Sequence, residues 1–284
     1  MNISNLYATL AEYKAFATSR GQTATTDATD DAVISAMLQQ ISRYIDQYVA
    51  FRKFYPSFKT RLYDIPRGDR QLFLDDDLLE VVTFTNGDGS VISSESYVLM
   101  GDNDTPAFGI ELLGASAPWA YWLPNVNGSI RKVISINGLW GYHEDYANAW
   151  VPVGTLGAAI TDTTTFAFTM TAGHSVSVGQ ILKIGSEIYN VATVATNTIT
   201  PNQRGDNGST AITHLSGATV YAWAVMDDIK LAVLEIALGV SALRTGQSSS
   251  GKVSITANGV VIRPEEIPPM AQRTIDGYRR TGWL

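Results

Sequence analysis

VMDDIKLAVLEIALGVSALRTG, residues 225–246, decides how the rest of the chain is read. Asp227 and Asp228 open it, where the helix dipole favours carboxylates. Ile229, Val233, Ile236, Ala237 and Val240 fall on one helical face, and Leu231, Leu234 and Leu238 widen the stripe. Arg244 and Gly246 close it. A stripe this broad must be covered on more than one side. Its simplest partner lies far upstream, in a second long helix predicted over about Asp31 to Phe54. There Ile34, Met37, Leu38, Ile41, Tyr44, Ile45 and Tyr48 recur every three or four residues, with the Tyr side chains read as core. Asp30 is placed to cap that helix and Pro56 to stop it.

If these helices pack together, the stretch between them holds an insertion. Residues 154–223 are rich in Thr, Ala, Val and Gly and carry few charges. Strands are predicted at Thr165–Met170, Gln180–Ile184, Glu187–Val194, Thr198–Pro201 and Thr219–Trp223, with Gly179, Gly185, Asn197 and Gly217 as punctuation. That is a small all-β module, a barrel or a sandwich, over residues 153–224. Residues 58–138 also read as β, in short runs at Arg61–Ile65, Gln71–Leu74, Glu80–Thr85, Tyr97–Met100, Ile110–Leu113 and Lys132–Ile136. Asn86-Gly87-Asp88-Gly89 marks a hairpin, because Asn and Gly accept positive φ cheaply. A short helix is predicted over Asn5–Ser19, ended by Gly21. A strand-like run follows at Val253–Ile255, and a last helix at Met270–Arg280 behind Pro268-Pro269. The expected fold is α+β: a discontinuous domain of residues 1–152 and 225–284, with the all-β module at 153–224.

Composition narrows the chemistry. The 284 residues are 45% apolar and 17% charged, enough for a core and too few charges for a disordered chain. Six Trp and thirteen Tyr suit a core, and they equally suit an assembling surface. Net charge is −7, and the 20 basic residues are scattered except for Arg273, Arg279 and Arg280, which argues against tight nucleic-acid capture. With no Cys there is no disulfide, thiol nucleophile or thiolate metal site. The first ten residues lack a basic and an apolar region, and no apolar run nears the ~18 residues of a membrane span, so a soluble cytoplasmic product is expected.

Candidate chemistry is thin. His143, His174 and His214 show no pairing at helical spacing, so no metal site is expected. Asp75-Asp76-Asp77 reads as a charged turn, and Asp102-Asn103-Asp104 misses the calcium-loop pattern. G-x-S-x-G, P-loop and G-x-G-x-x-G motifs are missing. Glu187 and Asp206 could be drawn as a glycosidase pair, but 27 acids supply many such pairs. No catalytic residue, metal or cofactor is assigned, and the chain is not expected to be an enzyme.

Several stretches in order carry a resemblance. They are Tyr7 to Lys14, Ser42-Arg43-Tyr44-Ile45-Asp46, Phe54-Tyr55-Pro56 with Thr60 to Asp64, and Leu72 to Leu79. Gly138 to Tyr142, leading to Val151-Pro152, then Asp228 to Leu243 and Tyr278-Arg279-Arg280 complete the series. Together they resemble the head–tail connector adaptors of long-tailed bacteriophages. Arg204-Gly205, Thr210-Ala211, His214 and Gly217-Ala218 are similar to small β domains of phage tail and connector proteins. The resemblance implies a structural virion protein of the neck, made and assembled in the bacterial cytoplasm. It implies a ring of about twelve copies, built on a heterologous interface that closes. Portal protein on one side and the next connector or tail-completion protein on the other are the implied partners, with DNA passing through unbound. A mildly acidic chain is compatible with such a channel. Weak self-association is expected until a portal aligns the subunits. The C-terminal segment of such adaptors grips the portal. Here that maps onto Met270, Arg273, Tyr278, Arg279, Arg280, Trp283 and Leu284, where a terminal Trp-Leu beside arginines has the make-up of an interface anchor. Two alternatives stay open: another tail or decoration protein that binds capsid or receptor through the β module, and a glycan-acting tail enzyme.

Overall fold

The computed structural model describes residues 4–22, 27–68, 70–101, 105–114, 121–245, 254–255, 261–262 and 267–280. Among them are four helices, Leu10–Ser19 (α1), Ala28–Tyr48 (α2), Asp227–Thr245 (α3) and Pro269–Gly277 (α4), and two large antiparallel sheets. The fold is α+β.

The first two helices begin where a side chain satisfies their first amides. Thr9 and Glu12 form a capping box: Glu12 N donates to Thr9 Oγ1 at 3.2 Å and Thr9 N to Glu12 Oε2 at 2.7 Å. The helix expected from Asn5 therefore starts at Leu10, and Asn5 itself is left-handed with φ +54°. Thr9→Ala is expected to cost about 1 kcal/mol and lower the melting temperature by roughly 2–4 °C. An unchanged melting curve would remove the box from the account. For α2 the cap is Asp27, accepting from Thr29 N at 2.7 Å, three residues before the expected Asp30. The helix stops at Tyr48, well short of Phe54, because Ala50 and Phe51 turn left-handed.

By contacts the chain divides into two compact units. The first comprises Met1–Arg52, Trp150–Asp206 and Thr210–Leu284. In it α3 packs against α1, α2 and α4, burying Ile229, Ala232, Val233, Ile236 and Ala237 against residues such as Leu38, Ile41 and Ile45 of α2. Leu231 and Tyr44, expected in the stripes, are exposed, and Tyr48 is half-buried. The unit's sheet holds Trp150–Thr155 (β6), Phe168–Thr169 (β7), Ile181–Ile184 (β8), Glu187–Ala195 (β9), Thr198–Pro201 (β10) and Thr219–Trp223 (β11). Their order is β6-β11-β8-β9-β10-β7. Leu156 bridges Met170, with Gly157 N donating to Thr169 O at 2.8 Å and Thr171 N to Thr155 O at 2.9 Å. The first and last strands thus meet, and the sheet curls around Leu182, Ile184, Tyr189, Val191, Ile199 and Val220. Further on, Ser254–Ile255 (β12) pairs with Val261–Ile262 (β13).

The second unit is Lys53–Ala149 with Asn207–Ser209. Its sheet holds Ser57–Tyr63 (β1), Gln71–Thr85 (β2), Tyr97–Met100 (β3), Ala107–Leu112 (β4) and Ile134–Trp140 (β5), in the order β1-β5-β2-β4-β3. Leu72, Leu78, Phe84, Ile110, Leu112, Ile134, Ile136 and Trp140 fill its core. The two runs expected at Gln71–Leu74 and Glu80–Thr85 are one strand, and Asp75-Asp76-Asp77 lies inside it instead of in a turn. Asn86–Gly89 makes the expected tight turn, with Gly89 N donating to Asn86 O at 3.0 Å and Gly89 at φ +87°.

This grouping differs from the one expected from sequence texture, which joined residues 53–149 to the helices and set 153–224 apart. The physical reason is a contact 185 residues long in sequence: Asn5 N donates to Asn190 Oδ1 at 2.8 Å. The same N-terminal segment lays Leu6 over Gly179, where any side chain on residue 179 would collide with it. The six-stranded sheet and the helices are thereby one body.

Candidate functional site

Glu187 is a fully buried carboxylate at the centre of a hydrogen-bond network in the first unit. It enters β9 directly after a turn at Gly185, φ +58°, and its side chain is 0% exposed. A buried carboxylate is costly unless donors surround it. Five do. Arg204 donates through Nε (2.8 Å) and Nη2 (2.9 Å), the amides of Gly205 (2.9 Å) and Ile212 (3.0 Å) follow, and His214 Nε2 lies at 3.0 Å. Arg204 spends its remaining N–H groups on the carbonyls of Asp162 (2.9 Å), Thr165 (3.1 Å) and Ile212 (2.5 Å). Burial pushes the Glu187 carboxyl up, but Arg204, the Ile212 amide and His214 more than offset this and hold it at about 2. The arrangement ties the loops around residues 160–165 and 202–214 to β9. Arg204, Gly205 and His214, three residues of the quoted β-module motif, meet around this one carboxylate. Asp206 faces elsewhere, accepting from Asn190 N at 2.8 Å, and its burial raises its pKa. Both Glu187 oxygens are engaged by these donors.

In the second unit the acidic run is likewise consumed. Arg61 pairs with Asp76 and, at 3.0 Å, with Asp75, while its guanidinium lies 5.1 Å from the Trp140 ring centroid. Tyr63 OH donates to Asp75 at 2.7 Å, and burial together with that bond raises the tyrosine pKa. Lys59 is lowered to about 8, by burial first and then by Lys53 beside it.

Among the described residues no cluster of three or more His, Asp or Glu could hold an ion. Each of the three histidines has its own local partner. His143 Nδ1 accepts from Asp145 N (3.0 Å), His174 Nδ1 from Val176 N (3.2 Å), and His214 belongs to Glu187. Asp102–Asp104 lies outside the described residues. A cleft of about 170 Å³ in the first unit is bordered by Leu6, Tyr7, Val153, Gly179 and Trp223 and by the Glu12–Lys230 ion pair at 3.0 Å. It is smaller than the pockets that enclose cofactor-sized ligands.

The expected portal-binding residues sit on and after α4. This helix docks on its own unit through buried Ala271 and Ile275. Tyr48 OH donates to Asp276 at 2.6 Å, Arg52 Nη1 to Tyr278 O at 3.0 Å and Tyr278 OH to Asp228 at 2.5 Å. Pro268-Pro269 therefore begins a packed helix and not a detached arm. Met270 is 65% exposed, Arg273 and Arg279 are exposed, and Tyr278 and Arg280 are half-buried. Trp283 and Leu284 lie outside the described residues. Sequence reasoning took Tyr48 for a core residue and gave no role to Arg52. Of these, Tyr48 carried the only available signal, a polar tip at the end of an apolar stripe.

Compared with models of known families the chain matches none, and no curated protein resembles it. No helix among the described residues is long and apolar enough to cross a membrane.

Proposed function

We propose that the chain is a structural virion protein, an adaptor subunit of the phage head–tail connector. It docks on the portal, repeats around a ring, meets the next connector or tail-completion protein below, and leaves a channel for DNA. The observation that carries this reading is the two-sidedness of α4. One face is fastened by Ala271, Ile275 and Asp276, while Met270 and Arg273 are exposed, as is Arg279 just past the helix, over the Tyr48 ring. A helix held by its own subunit and presenting Met and Arg is a preformed contact surface, which lowers the ordering cost of binding. Net charge is −7, and Lys14, Arg43, Arg61, Arg131, Arg204 and Lys230 face carboxylates, which is compatible with DNA passing unbound.

The test is co-sedimentation with portal rings. A variant lacking residues 281–284 and carrying Arg273→Ala leaves Ala271, Ile275, Asp276 and Tyr278, and so their docking contacts, in place. It is expected to unfold at the wild-type temperature and to lose portal attachment. Unchanged unfolding together with wild-type stoichiometry on the portal would sink the proposal.

A further inference from the structure

The second unit brings two lysine amines together. Alternation along β1 sets Lys59, Arg61 and Tyr63 on one face, and their partners on β5 are Gly138, Ile136 and Ile134. Ile134 and Ile136 are buried, so this is the core-facing side of an edge strand. Gly138 puts no side chain beside Lys59, and it is held bare, since a Cβ there would lie 2.5 Å from Glu80 O. Lys53 enters the same corner from the segment before β1. Its carbonyl accepts from Tyr142 N at 2.7 Å, and its Nζ lies 5.6 Å from the Tyr55 ring centroid. There the Lys53 and Lys59 amines share a hydrogen bond, and both side chains are half-buried.

A lysine ammonium has three donors and no acceptor, so two amines bond each other only when one is neutral. The surroundings decide which. For Lys53 burial works against the charge, but Lys59, Tyr55 and Asp76 outweigh it and raise its pKa. Lys59 is lowered by burial, then by Lys53 and Arg61, with Asp76 opposing. Asp76 is already paired with Arg61, and Asp75 receives Arg61 and Tyr63. With a value of about 8, roughly half of Lys59 is neutral at pH 8, against under about a hundredth of a lysine at the ordinary 10.5. A neutral amine is a nucleophile.

We propose that Lys59 is a modification site that takes up carbon dioxide as a carbamate, held by the Lys53 ammonium. The product's charge selects this electrophile. An acyl donor would leave a neutral amide, whereas a carbamate turns the amine–amine contact into an ion pair with Lys53. The Lys59 Nζ lone pair attacks the carbon of CO₂, one C=O electron pair moves to oxygen, and one proton leaves the nitrogen for water. Nothing is oxidised or reduced. The site is independent of the adaptor reading.

The full chain in carbon-13 bicarbonate at about pH 8 tests it by NMR. A carbamate resonance is expected that Lys59→Arg removes. Lys53→Met, which takes away both the neighbouring charge and the counter-ion, should lower it at least about fivefold. Alkylation of the carbamate oxygen followed by peptide mass mapping should find at least about ten times more on Lys59 than on exposed Lys132. Thermal unfolding of each variant is followed alongside. If Lys59→Arg fails to fold, the mapped occupancy of the wild-type chain decides alone. Equal label on Lys59 and Lys132, label on Lys53 or on the α-amine alone, or an undiminished signal in folded Lys53→Met would each overturn the inference.

Discussion

Glu187→Gln is expected to cost about 3–5 kcal/mol at pH 7 and to lower the urea midpoint for the six-stranded sheet by on the order of 1–2 M. The replacement keeps the size of the side chain and removes its charge. Arg204, whose side chain is 3% exposed, is then left as a buried cation with no counter-charge. One glutamine position must also become an NH₂ group, and it faces N–H donors on either side: Arg204 with the amide of Gly205, or Arg204 with the amide of Ile212. The loops at 160–165 and 202–214 lose their common anchor together, so the damage is not confined to one strand. Trp150 and Trp223, which pack with ring centroids 5.0 Å apart on two strands of this sheet, supply a fluorescence probe of the transition.

The same carboxylate sets a pH dependence whose sign follows from the direction of its shift. Its pKa is held at about 2 in the fold against an ordinary 4.5. A depressed pKa stabilises fully above the unfolded value and progressively less as pH falls toward the folded one. The contribution, roughly 3 kcal/mol at about 1.4 kcal/mol per pH unit, is therefore present above about 4.5 and lost between there and about 2. Glu187→Gln cannot titrate, so the stability gap between wild type and variant should be full at pH 7 and shrink on acidification through that window. A gap that is negligible at pH 7, or that stays constant down to pH 2, would show that the network is not what holds these loops.

How much of this was legible depended on the range of the interactions involved. Strands at Gln180–Ile184, Glu187–Val194, Thr198–Pro201 and Thr219–Trp223 were predicted almost to the residue, because alternation and glycine punctuation are local signals. The Thr9-x-x-Glu12 capping box was equally local and readable, yet the apolar spacing from Leu6 drew the helix start upstream. Asp75-Asp76-Asp77 looked like a turn because three adjacent acids normally seek water. What places them inside a strand is Arg61 and Tyr63, supplied by β1. No pattern near residue 75 announces that partner. The grouping of the six-stranded sheet with the helices was hidden for the same reason, since Asn5 and Asn190 meet only after folding. For the candidate site the residue types were readable and their orientation was not. Arg273 and Arg279 could be named from the sequence, whereas the bonds that fasten Asp276 and Tyr278 to Tyr48 and Arg52 are not recorded in composition.

The docking of α4 makes the second large prediction. Ile275 is 0% exposed against its own unit, and Ile275→Ala removes buried methyl and methylene groups that normally contribute about 2–4 kcal/mol. The helix spans nine residues, too short to persist in water unaided, so its order comes from packing. The lost energy should consequently appear as undocking of α4 more than as unfolding of the whole unit. Amide exchange over Gln272–Tyr278 should accelerate by roughly two orders of magnitude, while exchange in α2 near Ile41 should change far less. The Tyr48–Asp276 and Arg52–Tyr278 bonds would open with it, because they join the end of α2 and the segment that follows it to α4 and its C-cap. Portal attachment should weaken as well, since a presented face is useful only while the other face is held. This separates two roles that removal of the whole segment would confuse. Loss of residues 281–284 is expected to weaken binding, whereas Ile275→Ala should affect order first and binding through it. If exchange over Gln272–Tyr278 remains at the wild-type rate in Ile275→Ala, α4 is not held by this contact, and the two-sided helix on which the adaptor proposal stands loses its inner side.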